Sequence, residues 1–378
     1  MKQKQYYIGL MSGTSVDSID AAAMQLEDGV GHILGTYSLP IPNVVRNSVF
    51  SLSEQNELSF ELLCETDAQL GELFSQAAIE LMSSCSIKPR QITAIGSHGQ
   101  TVRHAPPGQH QIPYSKQIGD PNIIAARTGC IVVADFRRAD IAHGGQGAPL
   151  VPAFHQEIFR HPLRHRAIVN IGGIANITSL PTDQSCIGYD TGPGNTLIDG
   201  WCKRHIGADF DKNGSWGASG VVNKPLLKQL KSHPFFSLPS PKSTGRETFN
   251  LTWLDTQLNQ YYTTSKLSKP ITSEDVQASL SALTAETIAD SIHNLENRVD
   301  EVFVCGGGVK NSLIMSILQE KLGRVAIGTT EDLGINPQWV ECAAFAWLAM
   351  RRIEHLPGNI PAVTGASGPV VLGGVYVS

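Results

Sequence analysis

Residues 6–10 form an apolar run of strand length, a small-residue turn follows at Met11-Ser12-Gly13-Thr14-Ser15, and residues 18–26 resume a strand-like pattern. The same layout of strand, glycine turn and strand returns at 167–173 and 174–178, which reads as an internal duplication. Residues 92–96 predict a short strand entering Ser97-His98-Gly99-Gln100-Thr101, and 130–134 a buried strand ending at Asp135. A further strand at 301–305 opens into Gly306-Gly307-Gly308. Apolar residues at helical spacing predict helices over 61–82, 275–295, 311–322 and 340–352. The tail, 370–377, reads as one or two strands that rejoin the first domain.

A chain of 378 residues exceeds the size at which one core stops growing, so two domains are expected. The boundary is placed near residue 130, giving 1–130 plus about 366–378 and 131–365. Net charge is -5 without a cluster of lysine or arginine, so neither a nucleic acid nor an anionic membrane has an electrostatic footprint. The basic opening Met1-Lys2-Gln3-Lys4-Gln5 leads into an apolar stretch too short for a signal peptide core or a membrane span, and a cytoplasmic location is expected. Seven scattered cysteines with no C-x-x-C pair argue against a disulfide scaffold and a zinc site. The 36 glycines are clustered, as where backbone must approach a ligand.

Three of those clusters stand at strand ends: Gly13-Thr14-Ser15, Gly172-Gly173 and Gly306-Gly307-Gly308. Such loops let backbone N–H groups converge on phosphate oxygens. Neither a G-x-x-x-x-G-K-[ST] loop nor a G-x-G-x-x-G fingerprint is present among them. The arrangement instead resembles the actin, hexokinase and acetate kinase superfamily. That resemblance implies an α/β protein of two RNase H-like (actin-like ATPase) domains with an interdomain nucleotide cleft, and ATP as the nucleotide.

Longer strings narrow it. Gly9-Leu10-Met11-Ser12-Gly13-Thr14-Ser15-Val16-Asp17-Ser18-Ile19-Asp20 is similar to the opening G-x-M-S-G-T-S-x-D-G-x-D of the anhydro-N-acetylmuramic acid kinases. Further matches are Gly96 to Thr101, Asp135 to Ile141, Gly144 to Pro152, Asn170 to Asn176, Gly188 to Asn195, Pro241 to Glu247, Cys305 to Gly308 and Thr364 to Ser367, so the resemblance spans the chain. One departure is Ser18, where the family has glycine; were that turn to need positive φ, serine would cost about 1 kcal/mol.

The resemblance implies that Asp190 is the general base, set in the glycine-lined turn Asp190-Thr191-Gly192-Pro193-Gly194-Asn195. It implies that residues Ser12 through Asp20, with Gly172, Gly173 and Gly306 to Gly308, bind the nucleotide. Asp17, with Asp20 beside it, would hold the waters of a Mg2+ ion on the phosphates. Gln100, Thr101 and His98 would face the sugar, Arg137 or Arg138 would clamp its lactyl carboxylate, and Glu341 matches an acid near the substrate. Each has an ordinary structural alternative: an Asx-turn cap for Asp190, turn hydrogen bonds for Asp17, Asp20 and the hydroxyls, a satisfied buried histidine, a surface ion pair for one arginine, and a first-turn carboxylate for Glu341. The implied reaction is ATP-dependent opening and 6-phosphorylation of 1,6-anhydro-N-acetylmuramic acid in cell-wall recycling, by an enzyme that pairs into a homodimer. Another sugar or carboxylate kinase of the superfamily, and a non-enzymatic actin-like nucleotide-binding protein, stay open at this point.

Overall fold

The structure is a computed structural model that describes residues 5–27, 30–55, 57–108, 111–264 and 271–378; Met1 to Lys4 of the basic opening lie outside the described residues. Strand β1 (Gln5–Met11) pairs antiparallel with β2 (Ser18–Glu27), and β2 with β3 (Val30–Pro40). On its other side β1 takes β4 (Ile92–Ser97) as a parallel neighbour. Strands β5 (Gln100–Ala105) and β6 (Tyr114–Ile118) form a separate hairpin, and β7 (Val132–Ala134) lies parallel to β4.

The second sheet repeats this plan. Strand β8 (Arg166–Ile171) pairs antiparallel with β9 (Ile174–Leu180), β9 with β10 (Ile187–Pro193), and β8 takes β11 (Glu301–Cys305) and then β12 (Ala326–Thr329) in parallel. The order β10-β9-β8-β11-β12 copies β3-β2-β1-β4-β7, with the same strand directions. Strand β13 (Gly374–Tyr376) extends the first sheet by pairing antiparallel with β7. The duplication read from two hairpins therefore covers five strands of each sheet.

Both strands at the centre of the first sheet are buried on two faces, which is why residues 7, 8 and 10 read as an unbroken apolar run. One face meets Leu70, Phe74, Ala77 and Leu81 of the helix Phe60–Ser84. The other meets the helix Val340–Ile353, which is buried from Cys342 to Met350. That helix rests on backbone: a Cβ on Gly9 would lie 1.7 Å from the Cys342 carbonyl oxygen, and one on Gly96 2.0 Å from that of Phe345. In the second sheet Val169, Ile171, Val302 and Val304 share a core with Leu280, Leu283 and Ile288 of the helix Ser273–His293 and with Ile314 and Leu318 of the helix Ser312–Leu322.

The chain divides into one compact unit of 1–159 with 339–378 and a second of 160–338. The boundaries expected near 130 and 365 are both displaced. Residues 132–134 are a strand of the first sheet, and the helix Val340–Ile353 packs on β1 and β4, so both belong with the first unit. A buried run ending in a polar tip looks the same whichever sheet receives it.

Candidate active site

In the first unit the β1–β2 hairpin presents residues 12–17. Ser12 is buried and donates to the Ser18 carbonyl at 3.2 Å, whereas Thr14, Ser15 and Asp17 are exposed. A Cβ on Gly13 would meet nothing within 4 Å, so the space over the loop is open. Ser15 donates to Asp17 Oδ1, and Arg46 Nη2 holds the Ser15 carbonyl at 3.1 Å. The loop's positive φ falls on Val16, at 53°, with its side chain buried. Ser18 opens β2 opposite Pro40 and needs no glycine. A β-branched residue in the left-handed region stores roughly 1–3 kcal/mol of strain at the loop. Ile19 is core, and Asp20 accepts from Ser18 and from Ser38 at 2.6 Å.

The tip of β4 lies beside the start of the helix Phe136–Ala142. His98 is buried; its Nδ1 donates to the Gly99 carbonyl at 2.8 Å, which leaves Nε2 to accept from Arg137 Nη2 at 2.9 Å and Nε at 3.3 Å. Burial, with Arg137 beside it, holds His98 well below the usual imidazole range, so it stays a neutral acceptor. Arg137 Nη1 donates to the Gly147 carbonyl at 2.9 Å, so three of its five N–H groups have partners among the described residues. Burial lowers Arg137 to about 10, against the opposing charges of Glu341 and Asp140. Arg138 makes an exposed ion pair with Asp135 and is the structural member of the pair. Gln100 is 2% exposed and its Oε1 has no partner among the described residues, so its acceptor is available to a donor group. Thr101 Oγ1 accepts from Gln117 at 3.1 Å. Glu341 stands in the first turn of the helix Val340–Ile353, its charge felt by Arg137.

Asp140 is a further carboxylate beside Arg137. Fully buried, it accepts at Oδ1 from Asn359 and Thr364, both at 2.7 Å, and at Oδ2 from Gly147 N at 2.8 Å. It thereby fixes the loop whose Gly147 carbonyl holds Arg137. The partners are 219 and 224 residues away, and no local pattern marks them.

In the second unit the glycine turns come together. Gly306 has φ 80°, and added Cβ atoms at Gly306 and Gly308 would strike Asn170 Oδ1 at 2.3 Å and Ile171 Cγ2 at 2.2 Å. The loop after β11 is therefore laid on the end of β8. From the other side Asn195 N donates to the Gly172 carbonyl at 2.8 Å and Gly194 N to that of Gly173 at 2.9 Å, with Asn195 Nδ2 on the Ile171 carbonyl. Asn195 thus joins the cluster, and its place in the Gly188 to Asn195 string was the available signal.

Asp190 lies within β10, opposite Asn176 at a register shift, and not in a turn. Its Oδ2 accepts from Thr244 N at 2.9 Å, so it caps a loop 54 residues away rather than an Asx-turn of its own. Burial pushes its carboxyl up to about 7; the Thr244 N–H acts to lower it and Glu247 to raise it. A carboxyl poised near neutrality suits proton abstraction.

Two sheets that share a five-strand order, each with a hairpin turn at the strand ends, define a duplicated RNase H-like α/β protein. The chain belongs to the anhydro-N-acetylmuramic acid kinase family, whose model matches residues 5–378. Relatives carrying that name include those of Pasteurella multocida, 47% identical over 98% of this chain and 96% of the relative, and Saccharophagus degradans, 48% identical over 98% of each. The Shewanella loihica relative is 48% identical over 99% of each chain. Among the described residues no helix is long and apolar enough to cross a membrane.

Proposed function

We propose that the protein opens 1,6-anhydro-N-acetylmuramic acid with water and phosphorylates it from ATP, giving N-acetylmuramic acid 6-phosphate and ADP. Asp190 takes a proton from the attacking water as the water oxygen bonds to the anomeric carbon. The bond from that carbon to O6 breaks, O6 takes the γ-phosphoryl group, and ADP leaves; Asp190 then releases its proton to solvent. The observation that carries this reading is the half-buried Asp190 carboxyl, held by Thr244 N at 2.9 Å and pushed up to about 7 by desolvation, in the unit that also gathers the Gly172-Gly173 and Gly306 to Gly308 turns.

The loop of residues 12–17 and the two turns of the second unit bind the nucleotide in this reading, while Ile19, expected beside them, is spent on the core. Gln100, Thr101, Arg137 and Glu341 bind the sugar, with the Arg137 guanidinium suited to its carboxylate. Mg2+ takes one or two carboxylates plus phosphate oxygens and water, and the exposed Asp17, with Asp20 behind it, fits that need; the ion would neutralise phosphate charge. The enzyme would act in the cytoplasm on material recovered from the cell wall, as a homodimer.

The test is ADP release from ATP with the anhydro sugar or with N-acetylmuramic acid as acceptor. Release should follow the anhydro sugar alone. Equal release with the sugar that lacks the bridge would overturn the ring-opening chemistry.

A further inference from the structure

The segment from Phe235 to Thr244 crosses β10 at Asp190 and is fastened at both ends. Asp190 N donates to the Lys242 carbonyl at 3.0 Å, and Thr244 N returns to Asp190 Oδ2 at 2.9 Å. Lys242 Nζ turns back to donate to the carbonyls of Phe235 and Phe236, both at 3.1 Å, and lies 4.8 Å from the centroid of the Phe235 ring. Phe236 in turn closes over the strand: a Cβ on Gly192 would come within 2.6 Å of its ring. The Lys242 ammonium is thus half-buried and spent on two main-chain carbonyls.

Such a placement costs desolvation, and burial lowers the affinity of Lys242 for its proton. What it gains is a clasp. With the ammonium in place, the turn at 235–236 and the stretch 242–244 form one closed strap, and the strap carries the N–H that orients the Asp190 carboxylate.

We infer that Lys242 is a positioning residue for the reaction, locking the strap that aims Asp190 at its proton donor; this rests on the proposed role of Asp190. Lys242 touches no reacting atom. It acts through Thr244 N–H, which favours the ionised carboxylate, while Glu247 is the charged group that opposes ionisation. Losing the clasp should both misplace the carboxylate and make it harder to ionise.

The test compares Lys242→Met, Lys242→Arg and Asp190→Asn in the full chain, with thermal melting and ATP binding by calorimetry to establish that each is folded. Lys242→Met should lower kcat roughly 10- to 100-fold with KM for the sugar changed less than about threefold, and move the ascending limb of the pH–rate profile to higher pH. Lys242→Arg, which keeps donors for both carbonyls, should recover most of the rate. Should Lys242→Met fail to fold, Lys242→Gln, whose neutral amide is too short to span both carbonyls, is read by the same profile. A normal rate, or a reduced rate with the limb unmoved, overturns the positioning role. The base itself is checked separately: Asp190→Asn with near-normal turnover sinks the reading of Asp190, whereas an inactive Asp190→Asn beside a normal Lys242→Met sinks only the strap.

Discussion

The chemistry of Asp190 is set by where its carboxyl is held. An aspartate in water ionises near 4 and would be a weak base at neutral pH. Burial moves this one to about 7, so only above that value is it mostly ionised and able to accept a proton. Turnover should therefore rise with pH and stand roughly tenfold lower at pH 6 than on its plateau, measured as kcat/KM against pH. A limb near 4 would show that the carboxyl is solvated in the working enzyme. His98 does not supply this limb, because it stays neutral over the same range. At this scale the sequence displayed the residue types at the loop tips. It did not display which arginine is spent on a surface carboxylate: Arg137 and Arg138 are adjacent, yet one is tied to His98 and Gly147 and the other to Asp135.

Among the elements, the hairpins were legible because each is a local pattern of apolar run, small residues and apolar run. The use of their glycines was less so. Gly9 and Gly13 stand in one motif, yet a Cβ on Gly9 would collide with the backbone of the helix Val340–Ile353, while Gly13 faces open space. Gly9→Ala should destabilise the protein by roughly 1–3 kcal/mol or more, since main chain has to move, and Gly13→Ala by about 0.5 kcal/mol or less. Thermal melting of both variants checks this; equal melting temperatures would mean that the helix does not lie on β1. Strand β10 is masked in the sequence because Gly188, Gly192 and Pro193 read as turn chemistry, but its pairing with β9 overrides that preference.

For the whole molecule, the second unit is one uninterrupted stretch, 160–338, with its own core, while the first is made of two stretches far apart in sequence. The fragment 160–338 should fold alone and melt cooperatively, followed by circular dichroism. The fragment 1–159 should not, because it lacks both β13 and the helix that covers Gly9 and Gly96. Cooperative melting of 1–159 by itself would show that this helix is dispensable to the first core.

By itself the sequence determined the repeated hairpins, the glycine turns at strand ends, the long helices and the family, since each is written in a short span or a contiguous string. Only the tertiary structure decided which sheet received each strand, that Val16 and not residue 18 takes the strained turn, and that Asp190 titrates near 7. Those outcomes depend on burial and on partners such as Thr244 for Asp190 or Asn359 for Asp140, brought together by packing across long stretches of chain.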